Sequence, residues 1–336
     1  MLFKKMPLYI RIFFITFFWL VTIVSLKANS SDFNLWLKDF KILAKKKGIS
    51  SLTINSYLND VKYLDKVIVY DNRQPEFFEK TNVYISKRSS KKSLKKAKKK
   101  YKEYSSIFKK VEKEFNVEKE IILALWSIET NFGNYLGKMD IISSLATLSF
   151  DKRRSAFFTN ELLILLKLAD KNIVSKEMLY GSWAGALGNF QFMPSTIMKY
   201  GIDYDGDNKI DLKKSLPDSI ASAANYINKA GWVYKDKCFQ EVVFTKNIDK
   251  KYFNHSARNI KQKKRSEFWI KKGLKSKEVK KDLDFNDDIA LVLPDGDKNS
   301  PKYLVSKNYE TILKWNRSLR FALSVCTLSE MIKNEI

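Results

Sequence analysis

The amino-acid sequence predicts an α+β fold that is mostly α, with a small β-containing insertion. Over most of the 336 residues, apolar side chains recur at three- and four-residue spacing, which is the period of a helix buried on one face. Between residues 238 and 309 this spacing gives way to short runs of β-branched and aromatic residues. A hydrophobic fraction of 45% with 14% aromatic residues indicates a folded protein with a sizeable core.

These patterns divide the chain into a leading segment, residues 1–28, and a folded region, residues 29–336. The folded region has four predicted parts. They are a helical N-terminal part (29–116), a helical core (117–237), the β-containing insertion (238–309) and a C-terminal helix that returns to the core (310–336).

The leading segment has the features of a secretory signal peptide. Lys4, Lys5 and Arg11 precede an apolar run over residues 12–26, and small residues follow it. The run is short for a membrane span of about 20 residues, so an uncleaved N-terminal membrane anchor is the alternative. The run is not followed directly by cysteine, which argues against a lipoprotein anchor. We therefore expect export to the periplasm, with membrane association through this segment if it is retained.

In the N-terminal part, residues 32–64 are predicted to form one or two helices, and residues 67–70 a short extended piece. Residues 87–102 contain ten Lys or Arg. Because apolar residues continue at helical spacing through this stretch, we expect an amphipathic helix with a solvated basic face. A dedicated polyanion-binding arm is the alternative.

In the core, Asn116 is a candidate N-cap for a helix with acidic residues in its first turn. Further helices are predicted over 155–170, 195–200 and 218–229. In the insertion, residues 242–244, 289–293 and 303–305 are predicted strands, and residues 294–296 a turn.

Cysteine and histidine are scarce. Cys238 and Cys326 could form one disulfide in an oxidising compartment, although their spacing does not require it. With His255 as the single histidine, a Cys/His zinc site or a histidine-dependent triad is improbable.

The chain is strongly basic, with a formal charge of +25. Residues 1–28 hold four basic and no acidic residues, so their removal would leave 25 − 4 = +21. Such a field favours anionic partners. Because export makes nucleic acid a poor explanation, we expect an anionic envelope polymer or a membrane surface instead.

Glu129 is the candidate catalytic residue. On a helix, Leu125, Trp126, Phe132 and Gly133 would lie within three or four residues of its carboxylate. Apolar neighbours disfavour the charged form, so we expect a raised pKa, which suits a general acid. On these residues alone, a structural glutamate at a helix end, exposed or paired with a nearby Lys, is the favoured interpretation.

Five blocks in order along the chain resemble the lytic murein transglycosylase B family, glycoside hydrolase family 103. The resemblance covers roughly residues 33–332. The blocks are IETNFG at 128–133, SLATLSFD at 144–151 with Arg153 and Arg154, GSWAGALGNFQFMPS at 181–195, Asn225-Tyr226 with Gly231-Trp232, and Asn316-Arg317-Ser318.

The resemblance implies a lysozyme-like helical core over residues 117–237, carrying the catalytic site. It implies an enzyme that cleaves the β-1,4 bond between N-acetylmuramic acid and N-acetylglucosamine in peptidoglycan and leaves a 1,6-anhydro ring. Glu129 would act first as acid and then as base. We expect peptidoglycan glycan strands as the partner, no organic cofactor and a monomer. A hydrolytic muramidase and a non-catalytic peptidoglycan-binding protein are the alternatives.

By the same resemblance, Ser182, Gln191, Tyr226 and Asn316 line the sugar-binding groove, and Tyr84 is a weaker candidate. The sequence also departs from the family. Trp315 and Phe321 stand where tyrosines are expected, and Phe190 stands where a small residue is common. The first two departures predict that ring stacking is preserved while two hydroxyl contacts to the sugar are lost. Phe190 predicts a narrower sugar-binding groove.

An acidic loop begins at Asp203, with Asp205 and Asp207 at the third and fifth positions and Lys209 at the seventh. Clustered oxygens of this kind suit calcium, with Lys209 contributing its carbonyl. Asn208 stands where a left-handed residue is needed, a conformation that Asn tolerates. By resemblance, the late ligand would be Asp218. A structural calcium site is therefore predicted, with a solvated acidic turn as the alternative.

Overall fold

A computed structural model describes residues 31–72, 79–279 and 281–336. The leading segment 1–28 lies outside these residues. The helices follow the chain in this order: α1 (31–46), α2 (Ser51–Leu58), α3 (Asp65–Asn72), α4 (Thr81–Arg88), α5 (Lys91–Phe115), α6 (Lys119–Thr130), α7 (Ile141–Phe150), α8 (Ser155–Asp170), α9 (Pro194–Tyr200), α10 (Leu216–Lys229), α11 (Ser266–Lys271), α12 (Lys307–Trp315) and α13 (Leu319–Lys333).

The helical core is organised around α6. Its residues from Ile121 to Ser127 are all buried, because almost every position in this segment is apolar. Helices α13 and α5 pack against α6, and α10 contacts both α5 and α9. The end of α6 is thereby fixed inside the helical core.

The described residues also form two small antiparallel sheets. In the first, β1 (Met139–Asp140) pairs with β2 (Tyr180–Gly181). The second has the order β4-β3-β6-β5 and contains β3 (Phe239–Phe244), β4 (Leu274–Ser276), β5 (Ala290–Val292) and β6 (Lys302–Val305). One face of this larger sheet, with α11, encloses a second apolar cluster that contains the fully buried Trp269. The mostly helical class with a small β-containing insertion is confirmed.

Covalent and polar contacts join the insertion to the helices. A disulfide links Cys238, just before β3, to Cys326 in α13, with Cα atoms 6.0 Å apart. Asp295, in the predicted turn after β5, accepts hydrogen bonds from Thr81 at the start of α4 and from Arg320 in α13. The insertion therefore anchors the C-terminal helices.

Several predicted boundaries are wrong. Residues 67–70 lie inside α3 rather than in an extended piece, because burial of Val67 outweighs the weak preference of β-branched residues for strands. Asn116 ends α5 in the left-handed conformation, with φ of 50°, and Glu118 precedes α6 instead. The predicted single C-terminal helix is two helices, since the chain turns at residues 316–318 and Ser318 caps α13.

None of the helices in the described part of the chain is both long enough and apolar enough to span a membrane.

Candidate active site and acidic loop

Glu129 lies at the C-terminal end of α6, where the chain turns sharply. Asn131, Phe132 and Gly133 all have positive φ, of 50°, 61° and 79°. The amide N–H of Phe132 donates to the carbonyl of Trp126, which closes the helix end. Glu129 is half-buried, whereas Trp126 and Phe132 beside it are buried.

Trp315 is a direct partner of Glu129. Its indole Nε1–H donates to Glu129 Oε1 over 2.8 Å. Trp315 is the last residue of α12, and the chain leaves the helix there through Asn316. A contact across 186 residues thus joins the end of α6 to the end of α12. Trp315 therefore does more than replace a tyrosine ring.

A three-ring stack stands beside the carboxylate. The ring of Tyr226 lies between those of Tyr200 and Trp315, with centroid separations of 4.4 Å and 4.9 Å and interplanar angles of 9° and 17°. The Tyr226 hydroxyl donates to the carbonyl of Lys314 over 2.7 Å. Burial, with a smaller contribution from Tyr200, raises the pKa of Tyr226 to about 12, so its hydroxyl remains a donor.

Ser182 and Gln191 lie on adjoining turns. The Ser182 hydroxyl accepts the amide N–H of Ala186, and the Gln191 side-chain amide donates to the carbonyls of Leu136 and Gly188. Gly188 has φ of 77° and packs so tightly on Leu212 that a Cβ there would overlap it. These hydrogen bonds connect the turn after α6 to the glycine-rich segment and fix both candidate side chains.

Other predicted positions lie in the core. Tyr84 is 1% exposed, with the Arg88 guanidinium over its ring, so it offers no surface to a sugar in this conformation. Phe190 is buried against Trp126 and Trp315. Its ring contributes almost no exposed surface, and the predicted narrowing of the groove stays a prediction. Phe321 is buried in α13, where its amide N–H donates to Ser318.

The acidic loop brings three of the five predicted calcium ligands together. Carboxylate oxygens of Asp203, Asp205 and Asp218 lie within 4.8 Å of one another. Asp207 lies outside this cluster, where its Oδ1 accepts the amide N–H of Lys209, so its direct role as a ligand is not supported. Asn208 has φ of 67°, which confirms the predicted left-handed conformation.

Asp218 is the buried member of this cluster, with 0% exposure. Its oxygens accept backbone N–H groups of Tyr204, Asp205 and Asp211. Burial raises the pKa of Asp218, and these hydrogen bonds oppose that effect. Three carboxylates around one point are a donor set that suits a hard divalent cation.

The mostly helical fold, with a half-buried carboxylate beside stacked aromatic rings, is that of the lysozyme-like proteins. Residues 32–330 match the family described as the transglycosylase SLT domain. Since this match covers most of the chain, the chain belongs to that family, as the five sequence blocks predict.

The relatives by sequence include the membrane-bound lytic murein transglycosylase B of Escherichia coli (strain K12). It is 32% identical over 205 residues, which are 58% of this chain and 56% of that protein. The chain therefore spans about half the length of this relative.

Two solved relatives share the fold over most of the chain. SltB3 from Pseudomonas aeruginosa, in complex with NAG-NAM-pentapeptide, superposes with a TM-score of 0.81 at 29% identity, over 90% of this chain and 79% of that one. Its complex with NAG-anhNAM-pentapeptide gives 0.80 at 30% identity, with the same coverage. Escherichia coli Slt35 in complex with calcium gives 0.73 at 27% identity, over 89% and 92%.

Two features of the region around Glu129 were not predicted from the sequence. Trp315 was predicted to preserve stacking, but its hydrogen bond to Glu129 was not predicted, although an indole in place of a phenol retains a donor. Tyr200 was not predicted at all. Its position at the end of α9 gives no local signal that it stacks on Tyr226.

Proposed function

We propose that this protein is a peptidoglycan lytic transglycosylase. It cleaves the β-1,4 bond between N-acetylmuramic acid and N-acetylglucosamine and leaves a 1,6-anhydromuramic acid end. The observation that carries this proposal is the half-buried Glu129 carboxylate, held by Trp315 beside a stack of aromatic rings in a member of the transglycosylase family. The complexes of SltB3 with NAG-NAM- and NAG-anhNAM-pentapeptide support this substrate class.

Glu129 performs both proton transfers. Its protonated carboxyl gives the proton to the glycosidic oxygen as the C1–O bond of muramic acid breaks. The resulting carboxylate then takes the proton of the muramic acid C6 hydroxyl while O6 bonds to C1. No water is consumed, no second carboxylate takes part, and Glu129 ends the cycle protonated. This requires an acid that stays neutral near pH 7, which the apolar neighbours of Glu129 favour.

Four side chains are proposed to hold the sugar. Tyr226 stacks on Trp315, and Asn316 follows Trp315 in the chain. Ser182 and Gln191 lie on turns of the glycine-rich segment. Serine, glutamine and asparagine supply neutral donors and acceptors for hydroxyl and N-acetyl groups. Tyr84 is left out of this set because it is buried.

The decisive variant is Glu129→Gln, which keeps the shape of the side chain and removes its acid–base chemistry. We expect release of anhydromuropeptides from purified sacculi to fall by at least roughly 10²-fold while the fold survives. Glu118→Gln is the matched control, because Glu118 Oε2 also accepts an indole N–H, that of Trp232, before the opposite end of α6. Substantial activity of Glu129→Gln would contradict the assigned role.

We further propose that the acidic loop binds one calcium ion in a structural role. Asp203, Asp205 and Asp218 would supply carboxylate oxygens, and the Lys209 carbonyl is a further candidate. The charge of the cation would favour the ionised form of the buried Asp218. Because Asp218 lies in α10, the bound ion would also link the loop to this helix. The calcium complex of Slt35 supports this choice of ion.

Calcium binding is tested by thermal unfolding of the intact protein. We expect calcium to raise the melting temperature by several degrees, because a ligand that binds only the folded state stabilises it. Asp205→Ala should abolish the increase, and Asp249→Ala, an exposed carboxylate outside the loop, should retain it. An unchanged melting temperature with calcium and with chelator would refute the site.

We infer that the protein acts outside the cytoplasm, in the periplasm. The basic and apolar pattern of residues 1–28 supports this location, as does the description of its Escherichia coli relative as membrane-bound. The high positive charge suits the peptide carboxylates of peptidoglycan. Fractionation of cells that express the full chain separates a periplasmic protein from a membrane-attached one.

A further inference from the structure

The hydrogen bond between Trp315 and Glu129 has a fixed direction. An indole N–H can donate but has no lone pair with which to accept. Over the 2.8 Å between Nε1 and Oε1, the oxygen must therefore be the acceptor. A phenol at the same position could rotate and either donate or accept, so the tryptophan restricts the chemistry of this carboxyl more than a tyrosine would.

The indole is held in place on several sides. Its face stacks on Tyr226, and the rings of Phe190 and Phe192 meet it at steep interplanar angles of 75° and 63°. The Tyr226 hydroxyl holds the carbonyl of Lys314, the residue before Trp315. Because the ring and its backbone are both restrained, the donor is in position before a substrate arrives.

We propose that Trp315 is a positioning residue that keeps Oε1 of Glu129 as a hydrogen-bond acceptor throughout the reaction, so that Oε2 is the oxygen that gives up and recovers the proton. This inference rests on the proposed transglycosylase function of Glu129.

Two chemical consequences support this assignment. In the protonated carboxyl, the carbonyl oxygen accepts a hydrogen bond better than the hydroxyl oxygen, so the indole places the proton on Oε2. In the ionised carboxyl, the indole stabilises the charge that appears when the glycosidic oxygen takes the proton. The same donor thus serves both steps without itself exchanging a proton.

The principal test is Trp315→Phe, which keeps an aromatic ring on Tyr226 and removes the donor. We expect kcat on purified glycan strands to fall roughly 10- to 100-fold with KM changed less than about twofold, because the reacting carboxyl is misplaced while sugar contacts remain. We also expect the alkaline limb of the pH–rate profile to move to higher pH, since loss of a donor to the carboxylate favours its protonated form.

The matched control is Trp232→Phe. Trp232 donates its indole N–H to Glu118 Oε2 over 2.6 Å, but this pair lies near the start of α6 rather than at its catalytic end. We expect kcat and the pH profile to stay as in the unsubstituted protein. Trp315→Tyr, which restores a donor, should recover part of the lost kcat. Unchanged kcat and pH profile in Trp315→Phe, or an equal loss in Trp232→Phe, would overturn the proposal.

A second measurement needs no substitution of Trp315 and no catalysis. In ¹⁵N-labelled protein, one of the indole N–H signals should shift with pH as Glu129 titrates and should lose that response in Glu129→Gln. An indole spectrum identical in Glu129→Gln would exclude the hydrogen bond. If the unsubstituted protein releases no anhydro product, the proposed function fails, while this spectrum still decides whether Trp315 donates to Glu129.

Discussion

Glu129 and Asp218 are two carboxylates withdrawn from solvent in opposite settings. Asp218 is in the first turn of α10 and accepts three backbone N–H groups. Glu129 is in the last turn of α6, beside aromatic rings and one indole N–H. The positive end of a helix stabilises an anion and the negative end does not. One carboxylate therefore serves as a structural anchor, and the other suits a group that must regain its proton.

The largest effect expected from this contrast is the loss of stability in Asp218→Ala. Removal of this side chain leaves three N–H groups of the loop without their acceptor, so we expect the free energy of unfolding to fall by about 3 kcal/mol or more. Urea unfolding in the presence of chelator measures it. Asp207→Ala, in the exposed part of the same loop, should cost less than about 0.5 kcal/mol. Equal losses would contradict the assignment of Asp218 as the anchor.

A smaller loss of stability is expected near Glu129, from Tyr226→Phe. The ring stack survives, but the hydrogen bond to the Lys314 carbonyl is lost, so the expected cost is about 1 kcal/mol of unfolding free energy. We expect kcat to fall less than in Trp315→Phe, because the donor to Glu129 remains. A larger kcat loss than in Trp315→Phe would show that the hydrogen bond from Tyr226 to the Lys314 carbonyl, rather than the indole N–H, determines the position of the Glu129 carboxylate.

Tyr226→Phe also carries a pH signature, the smallest of these effects. The pKa of Tyr226 is about 12 in the folded protein, against 10.0 for the ordinary phenol. Its contribution to stability is therefore complete below pH 10 and is lost as pH rises toward 12. The variant should lose less stability than the unsubstituted protein across that interval. Identical pH dependence would place the Tyr226 hydroxyl in contact with water.

Local patterns in the sequence predicted the parts of the molecule that local chemistry determines. Helix α8 begins and ends where its apolar spacing indicates, and Asn208 takes the left-handed conformation expected of it. Residues 67–70 were misassigned because their helix depends on burial of Val67 against the core. The spacing of apolar residues in the sequence does not predict such tertiary contacts.

The sequence predicted Glu129 as the candidate catalytic residue, but it did not predict the side chains that contact Glu129 or complete the aromatic stack. Glu129 stands out because ordered blocks of sequence surround it. Its contact with Trp315 and the stacking of Tyr200 on Tyr226 join residues far apart in the chain. Strand β4 and helix α11 were also missed, since each is short and its stability comes from the neighbouring sheet. The raised pKa of Glu129 stays a prediction.

The central claim is that Glu129 closes an anhydro ring without water. The most direct measurement is mass spectrometry of the soluble products that the protein releases from purified sacculi. We predict muropeptides with 1,6-anhydromuramic acid ends, absent with Glu129→Gln and present with Glu118→Gln. Products heavier by one water, with reducing ends, would show a hydrolytic muramidase. Release of no product by the folded, unsubstituted protein would show a binding protein instead.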